Sequence, residues 1–380
     1  MTQPEIGRRS LLRAALVPAL APLPVLSRPA RAQAPLRITD LAGRTVTLPR
    51  PARRIVLQQA RHVLALSLLH PDPVSLIVGW GGDLRQMNPP DYASVRARFP
   101  AADAVPLVGR NTLDTLSIEM VVASRPDAVV LSRGGGGGGD AAALADRLSG
   151  YGIPTVVVDF FVNPLRDTPR SIEVLGTLLG QEERARAFGA FHAERLARIT
   201  ERLAGVTVRP SLFMHAHAGG TTCCASPGRG AFDSFIRAAG GTNIGAEILP
   251  GLMGEVSLEQ VLTRNPDVYV ATGGPFAGRG GIAMGAGVAP DTALRDLRAV
   301  LTKDRLVGLP AVTGGRAHAM WHGFNDTPAH IMVVEALARA LHPTIFADLD
   351  PAATQAELNR RFLSIPMEGT YWANLPGGRG

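Results

Sequence analysis

Lysine is almost missing from this chain: Lys303 stands alone among 39 basic side chains. Positive charge is therefore carried by arginine, whose planar fork of donors suits carboxylate- or phosphate-like oxygens. Cysteine is nearly as scarce. Cys223 and Cys224 are the only two and they are adjacent, which lacks the ligand spacing of a zinc site. Whether they are joined or free stays open from sequence. Beyond the N-terminal segment, no apolar run approaches the roughly 20 residues needed to span a bilayer. Also absent are a Gly-x-Ser-x-Gly elbow, a His-Glu-x-x-His pair and a dinucleotide fingerprint.

The chain opens with Arg8 and Arg9 before Ser10, Leu11 and Leu12, followed by an apolar, proline-interrupted run to Leu26 and the small-x-small triplet Ala30-Arg31-Ala32. This pattern predicts a twin-arginine-type export signal over 1–32, cleaved near Ala32. Its five arginines and one glutamate account for four of the seven formal positive charges, so the remainder is only mildly basic and gives no argument for nucleic acid. A soluble periplasmic protein, not inserted in the membrane and monomeric, is expected. About 350 residues then remain, enough for two domains.

Strand-like and helix-like stretches alternate through that remainder, which predicts an α/β architecture with mainly parallel sheets. The expected organisation is an N-terminal α/β lobe over 36–167, a connecting helix over 168–205, a C-terminal α/β lobe over 206–345 and a helical extension over 346–380. Ile172, Leu175, Leu178 and Leu179 begin the apolar side of the connecting segment. Unbroken, it would run on the order of 50 Å, with Gly176, Gly180 and Gly189 as weak points.

Residues 117–132 read SIEMVVASRPDAVVLS and residues 257–272 read SLEQVLTRNPDVYVAT. Ser117 and Ser257 suit helix N-caps, and Glu119 and Glu259 then fall in the first turn, where negative charge suits the helix dipole. Pro126 and Pro266 end each helix ahead of a strand. One helix–turn–strand unit is thus written twice, in equivalent places of two similar lobes. By itself the repeat is compatible with glutamates that merely stabilise helix ends.

The opening Asp40-Leu-Ala-Gly-Arg-Thr-Val-Thr-Leu-Pro49, the two Ser-x-Glu…Pro-Asp segments, Gly228–Asn243, His322–Pro328 and Pro366–Trp372 together resemble the iron-complex and cobalamin class of periplasmic substrate-binding proteins that serve ABC importers. The resemblance covers essentially the whole chain after the signal. It implies two Rossmann-like lobes joined by one long backbone helix, with a ligand cleft between them. It also implies that Glu119 and Glu259 pair with arginines on the two permease subunits.

Open α/β sheets bind ligands beyond the carboxyl ends of their strands. The loops at those positions nominate Gln58, Arg61, Trp80, Arg110 and Arg133 in the first lobe, and His215, Arg229, Trp321, His322 and Phe324 in the second. Gln59, Asp83, His217, Phe276, Arg279 and Asn325 lie in the same loops. Recurring arginine and aromatic residues fit an anionic iron chelate, a ferric siderophore above all, with no resident cofactor. Haem is the sharper alternative, with Tyr92, His62 or His322 as axial candidates; cobalamin or an oxyanion is a further one. The six-glycine run Gly134–Gly139 lacks the ending of a phosphate loop and suits a flexible lip. An exported enzyme on the same scaffold is the rival class.

Overall fold

β1 (Leu36–Thr39) and β2 (Thr45–Leu48) pair antiparallel around a turn that Asp40 builds. One carboxylate oxygen of Asp40 accepts from the N–H groups of Ala42 and Arg44, at 3.0 and 2.9 Å, while Gly43 takes a left-handed φ of 77°. The other oxygen accepts from the Val157 N–H at 3.1 Å and pins the hairpin to the first sheet. The structure is a computed structural model describing residues 1–2, 34–134, 139–275 and 279–376. The predicted signal segment with its cleavage point, the four central glycines of the six-glycine run, and Phe276 lie outside the described residues.

The first lobe is built on a parallel sheet of β3 (Ile55–Leu57), β4 (Ile77–Gly81), β5 (Leu107–Gly109), β6 (Ala128–Ser132) and β7 (Thr155–Val158), in the order β5-β4-β3-β6-β7. Side chains alternate across it, as a pleated strand requires. Ile55, Leu57, Ala128, Val130, Val156 and Val158 enter the main core; Val56, Val129, Leu131 and Val157 enter a smaller one on the opposite face with Leu144 and Leu148. The chain leaves β3 in one direction and returns through β6 in the other, so the β3–β6 boundary is a topological switch point.

In the second lobe come β8 (Ser211–His215), β9 (Ala225–Pro227), β10 (Thr242–Asn243), β11 (Met253–Glu255), β12 (Val268–Gly273), β13 (Gly285–Ala286), β14 (Ala317–Trp321), β15 (Gly369–Thr370) and β16 (Trp372–Leu375). β10, β8, β12, β14 and β16 form the second sheet in that order, parallel except for β16. Its switch point lies between β8 and β12. The two sheets are therefore related, β3 corresponding to β8 and β6 to β12.

The repeated segments occupy matching positions. Ser117 accepts from the Met120 N–H at the start of helix Ile118–Ser124, and Ser257 from the Gln260 N–H at the start of helix Leu258–Arg264. Both helices end on a left-handed residue, Arg125 at φ 46° and Asn265 at φ 42°. The aspartate after each proline then ties its strand to the neighbour. Asp127 accepts from the N–H groups of Arg53 and Arg54, and Asp267 from the N–H and hydroxyl of Ser211.

The segment expected as one connecting helix is two, Pro164–Leu179 and Glu182–Arg202. Gly180 turns left-handed at φ 67°, and a Cβ on Gly176 would lie 2.5 Å from that of Ala185. Glycine at both points lets the chain turn and the helices meet closely, which ends the single-rod expectation. The first helix is the one that bridges: it packs on β1 and β7 in one lobe and on helix Ala231–Ala238 in the other. The last segment also departs from a purely helical extension. After helix Pro351–Arg361 it lays Ser364 against the first lobe, where Ser364 donates to the carbonyls of Ser67 and His70, and ends as β16 on the second sheet.

Candidate ligand-binding cleft

Between the lobes lies a cavity of about 280 Å³. The first lobe supplies Arg61 and Asp83 from the loops after β3 and β4, and Asn88, Asp91 and Ser94 from helix Pro89–Arg98 and the residue before it. The second supplies His217 after β8, Gly273 and Gly274 at the end of β12, and Trp321, His322, Asn325 and Asp326 at and beyond the end of β14, with Tyr371 from the C-terminal segment. These are carboxyl-terminal strand ends at both switch points, where parallel sheets bind ligands.

An ion network closes the cavity floor across the lobes. The Arg61 Nε donates to Asp83 at 2.8 Å, and an Arg61 terminal nitrogen lies 3.4 Å from Asp326. His62 Nε2 reaches the other Asp326 oxygen at 3.3 Å. Both carboxylates are buried. Burial works to raise Asp326, yet its hydrogen bond with His62 and the charges of His62 and Arg61 hold it below the usual carboxylate range. Burial pushes the Asp91 carboxyl up to about 6, against a hydrogen bond from Asn88, another from the Ala286 backbone and the charge of Arg61.

Apart from Asp326, the second lobe's wall is largely aromatic. His217 and His322 stack with ring centroids 3.6 Å apart. Thr272 contacts His322 Nδ1 at 2.8 Å and Asn325 contacts Nε2 at 3.3 Å. Burial holds both imidazoles neutral, His217 down to about 4 with help from the charge of Arg279, and His322 well below the ordinary value with help from His217 and Arg61. Trp321 stands edge-on to Tyr371, centroids 5.3 Å apart. Gly323 permits this wall, since a Cβ there would come within 2.2 Å of the Trp321 ring.

Of the nominated residues, Arg61, Trp321 and His322 line the cavity, as do Asp83, His217 and Asn325 from the same loops. The others sit elsewhere. Gln58 is buried, donating to the Asn111 carbonyl and accepting from the Ser132 N–H, and so locks strand ends together. Trp80 is core, edge-on to Tyr92. Arg110 and Arg229 are exposed and outside the cavity lining, and Arg133 donates to the Leu41 carbonyl. His215 is buried against Tyr269. Phe324 belongs to a second cavity of about 660 Å³ inside the second lobe. Among the axial candidates, the Tyr92 hydroxyl donates to Asp103 at 2.6 Å and His62 is committed to Asp326 beside Phe160, leaving only His322 in the cleft. Asn88, Asp91, Asp326 and Tyr371 escaped the loop survey. Asp326 and Tyr371 lay within quoted motifs, whereas Asn88 and Asp91 carried no signal separating them from a helix start.

Two parallel-sheet lobes that face one shared cavity with the loops at their strand ends define a solute-binding architecture. The chain belongs to the periplasmic binding protein family, which it matches over residues 66–316. Similar solved structures include the TroA-like periplasmic binding protein FepB from Veillonella parvula, 25% identical with a TM-score of 0.81, covering 90% of this chain and 100% of that one. The molybdate-binding protein MolA from Haemophilus influenzae is 18% identical at a TM-score of 0.63, covering 86% and 97%. A periplasmic heme-binding protein from Pseudomonas aeruginosa is 20% identical at 0.53, covering 77% and 94%. None of the curated proteins matches the chain. Membership of this family places the protein in the periplasm, as the substrate-binding partner of an ABC transporter permease. Among the described residues, no helix is long and apolar enough to cross a membrane.

Proposed function

We propose that the cleft captures a compact metal chelate of neutral or positive charge, a ferric hydroxamate-type siderophore above all, and delivers it to the importer's permease. The charge of the cavity lining carries this reading. Among the described residues its one arginine is matched by two buried carboxylates, Asp83 and Asp326, and Asp91 adds a third. An anionic chelate or an oxyanion would meet these carboxylates, since Arg110, Arg133 and Arg229 lie outside the lining and Arg279 acts on it only through its charge on His217. Ferric hydroxamates are neutral or cationic, whereas ferric catecholates and citrates are anionic. The aromatic wall of Trp321, Tyr371 and the stacked imidazoles suits the apolar body of such a ligand. The cavity lies near the lower end of the roughly 300–1,000 Å³ usual for small-molecule sites, which favours a compact chelate over a tetrapyrrole.

Glu119 and Glu259 serve as the docking contacts. Both are exposed in the first turns of equivalent helices, so a roughly two-fold permease meets one acidic point on each lobe.

The test is a tryptophan-fluorescence titration with ferric hydroxamate, catecholate and citrate chelates, haem, cobalamin and molybdate. Trp321 is the reporter in the cleft, while Trp80 lies in the core and Trp372 beside the second cavity. Saturable one-to-one quenching by the hydroxamate, lost in Trp321→Phe, is expected. Tighter binding of an anionic chelate or molybdate would overturn the charge argument.

A further inference from the structure

Apart from the cleft, the second lobe gathers three metal-ligating side chains in its interior. β8 ends on His215, and the loop that follows returns through Cys223 and Cys224 into β9. Backbone bonds fix that return: the Ala216 N–H donates to the Ala225 carbonyl at 2.7 Å, and Cys224 and Val256 exchange two bonds at 3.1 and 3.0 Å. A His215 ring nitrogen and both Sγ atoms all lie within 4.8 Å of one another. His215 and Cys224 are fully buried, and Cys223 is half-buried.

One atom here is unexplained by packing. His215 Nδ1 contacts the Tyr269 hydroxyl at 2.8 Å, but its Nε2 is buried without a hydrogen-bond partner among the described residues. Leaving a buried polar atom unsatisfied is costly, and such atoms in native structures call for a reason. In the tautomer whose Nδ1–H donates to the phenol oxygen, Nε2 carries a lone pair, the arrangement an imidazole ligand adopts.

Cys223 and Cys224 are joined as a disulfide, a state in which neither sulfur is a thiolate ligand. We propose that two-electron reduction of this disulfide converts the cluster into a site for a soft monovalent cation of the Cu(I) type, held by two thiolates and His215 Nε2. A dithiol or phosphine supplies the electrons and is itself oxidised. Two protons go to the sulfurs, and metal binding then releases both. The donor set selects the ion: thiolates favour Cu(I), whereas a structural zinc site closes with four protein ligands and no fourth histidine, cysteine or carboxylate joins this group among the described residues. Half-buried Cys223 gives the route in.

The experiment titrates Cu(I) anaerobically into the phosphine-reduced protein against a chromophoric Cu(I) chelator, with the unreduced protein in parallel. Thiol counting first confirms that both cysteines are free. The expected result is one Cu(I) per reduced chain with a near-ultraviolet sulfur-to-copper band, and none retained by the oxidised chain. Cys223→Ser abolishes the band. Tyr269→Phe, which removes the group orienting the imidazole, weakens retention about tenfold, and His215→Gln weakens it further, with circular dichroism confirming that each variant is folded. Equal retention by oxidised and reduced protein, retention unaffected in folded His215→Gln, a preference for zinc, or no retention by protein with two free thiols would each overturn the proposal.

Discussion

Replacing Arg61 with Met should expose how the two lobes are held at the cleft floor. The substitution keeps an unbranched apolar stem and removes the guanidinium and its charge, leaving Asp83 and Asp326 buried without their partner. Breaking a buried pair by removing one member costs about 3–5 kcal/mol. The Arg61 side chain is 33% exposed, and solvent screening trims this to about 2–3 kcal/mol. The loss should depend on pH. In the native protein Asp326 sits below the usual carboxylate range, so its stabilisation is present above the unfolded value near about 4 and is lost as pH falls through the folded value. Without Arg61, the burial that already works to raise Asp326 keeps only His62 against it, and the folded value moves up. Protonation then relieves the variant in mild acid. The deficit should be largest at neutral pH and shrink toward about pH 4.5. Denaturant unfolding of both proteins at about pH 4.5 and about pH 7.5 reads this directly. Equal deficits at the two values, or a deficit below about 1 kcal/mol at neutral pH, would refute the reasoning.

Asp91, pushed up to about 6 by burial, binds its proton more tightly folded than unfolded. Its contribution is full below about pH 4 and fades as pH rises through about 6, by an amount on the order of 3 kcal/mol. Asp91→Asn should therefore melt higher than the native protein at neutral pH and level with it in acid, as a thermal scan at both values would show. Glu119→Ala and Glu259→Ala should each cut ligand uptake in cells carrying the importer while leaving the fluorescence-measured affinity unchanged. A fall in affinity would move these glutamates from the docking surface to the cleft or the fold.

The two-lobed α/β plan was legible in local pattern. Strand–helix alternation and the doubled Ser-x-Glu…Pro-Asp segment are local patterns, and their consequences are local too: Ser117 and Ser257 cap helices, and Asp127 and Asp267 tie neighbouring strands where the repeat puts them. The family resemblance was legible for the same reason, through motifs in fixed order. Arg61, Trp321 and His322 were reachable from the rule that ligands sit beyond strand ends, because that rule needs only the strand positions. It does not say which way a side chain points. Trp80 leaves its strand end into the core, Phe324 faces a different cavity and Arg133 folds back onto the Leu41 carbonyl. Packing fixed these directions, and with them which charges face the cleft. A chain rich in arginine turned out to line its cavity with one arginine, matched by carboxylates from both lobes. The break at Gly180 was likewise only a weak point in sequence, since glycine permits a left-handed turn without requiring one. The meeting of Cys223 and Cys224 with His215 depended on backbone pairing in the return loop, which no spacing along the chain encodes. Local propensity is written residue by residue. The charge of a cavity is set by which side chains two separate lobes turn toward each other, and that is fixed only when both have packed.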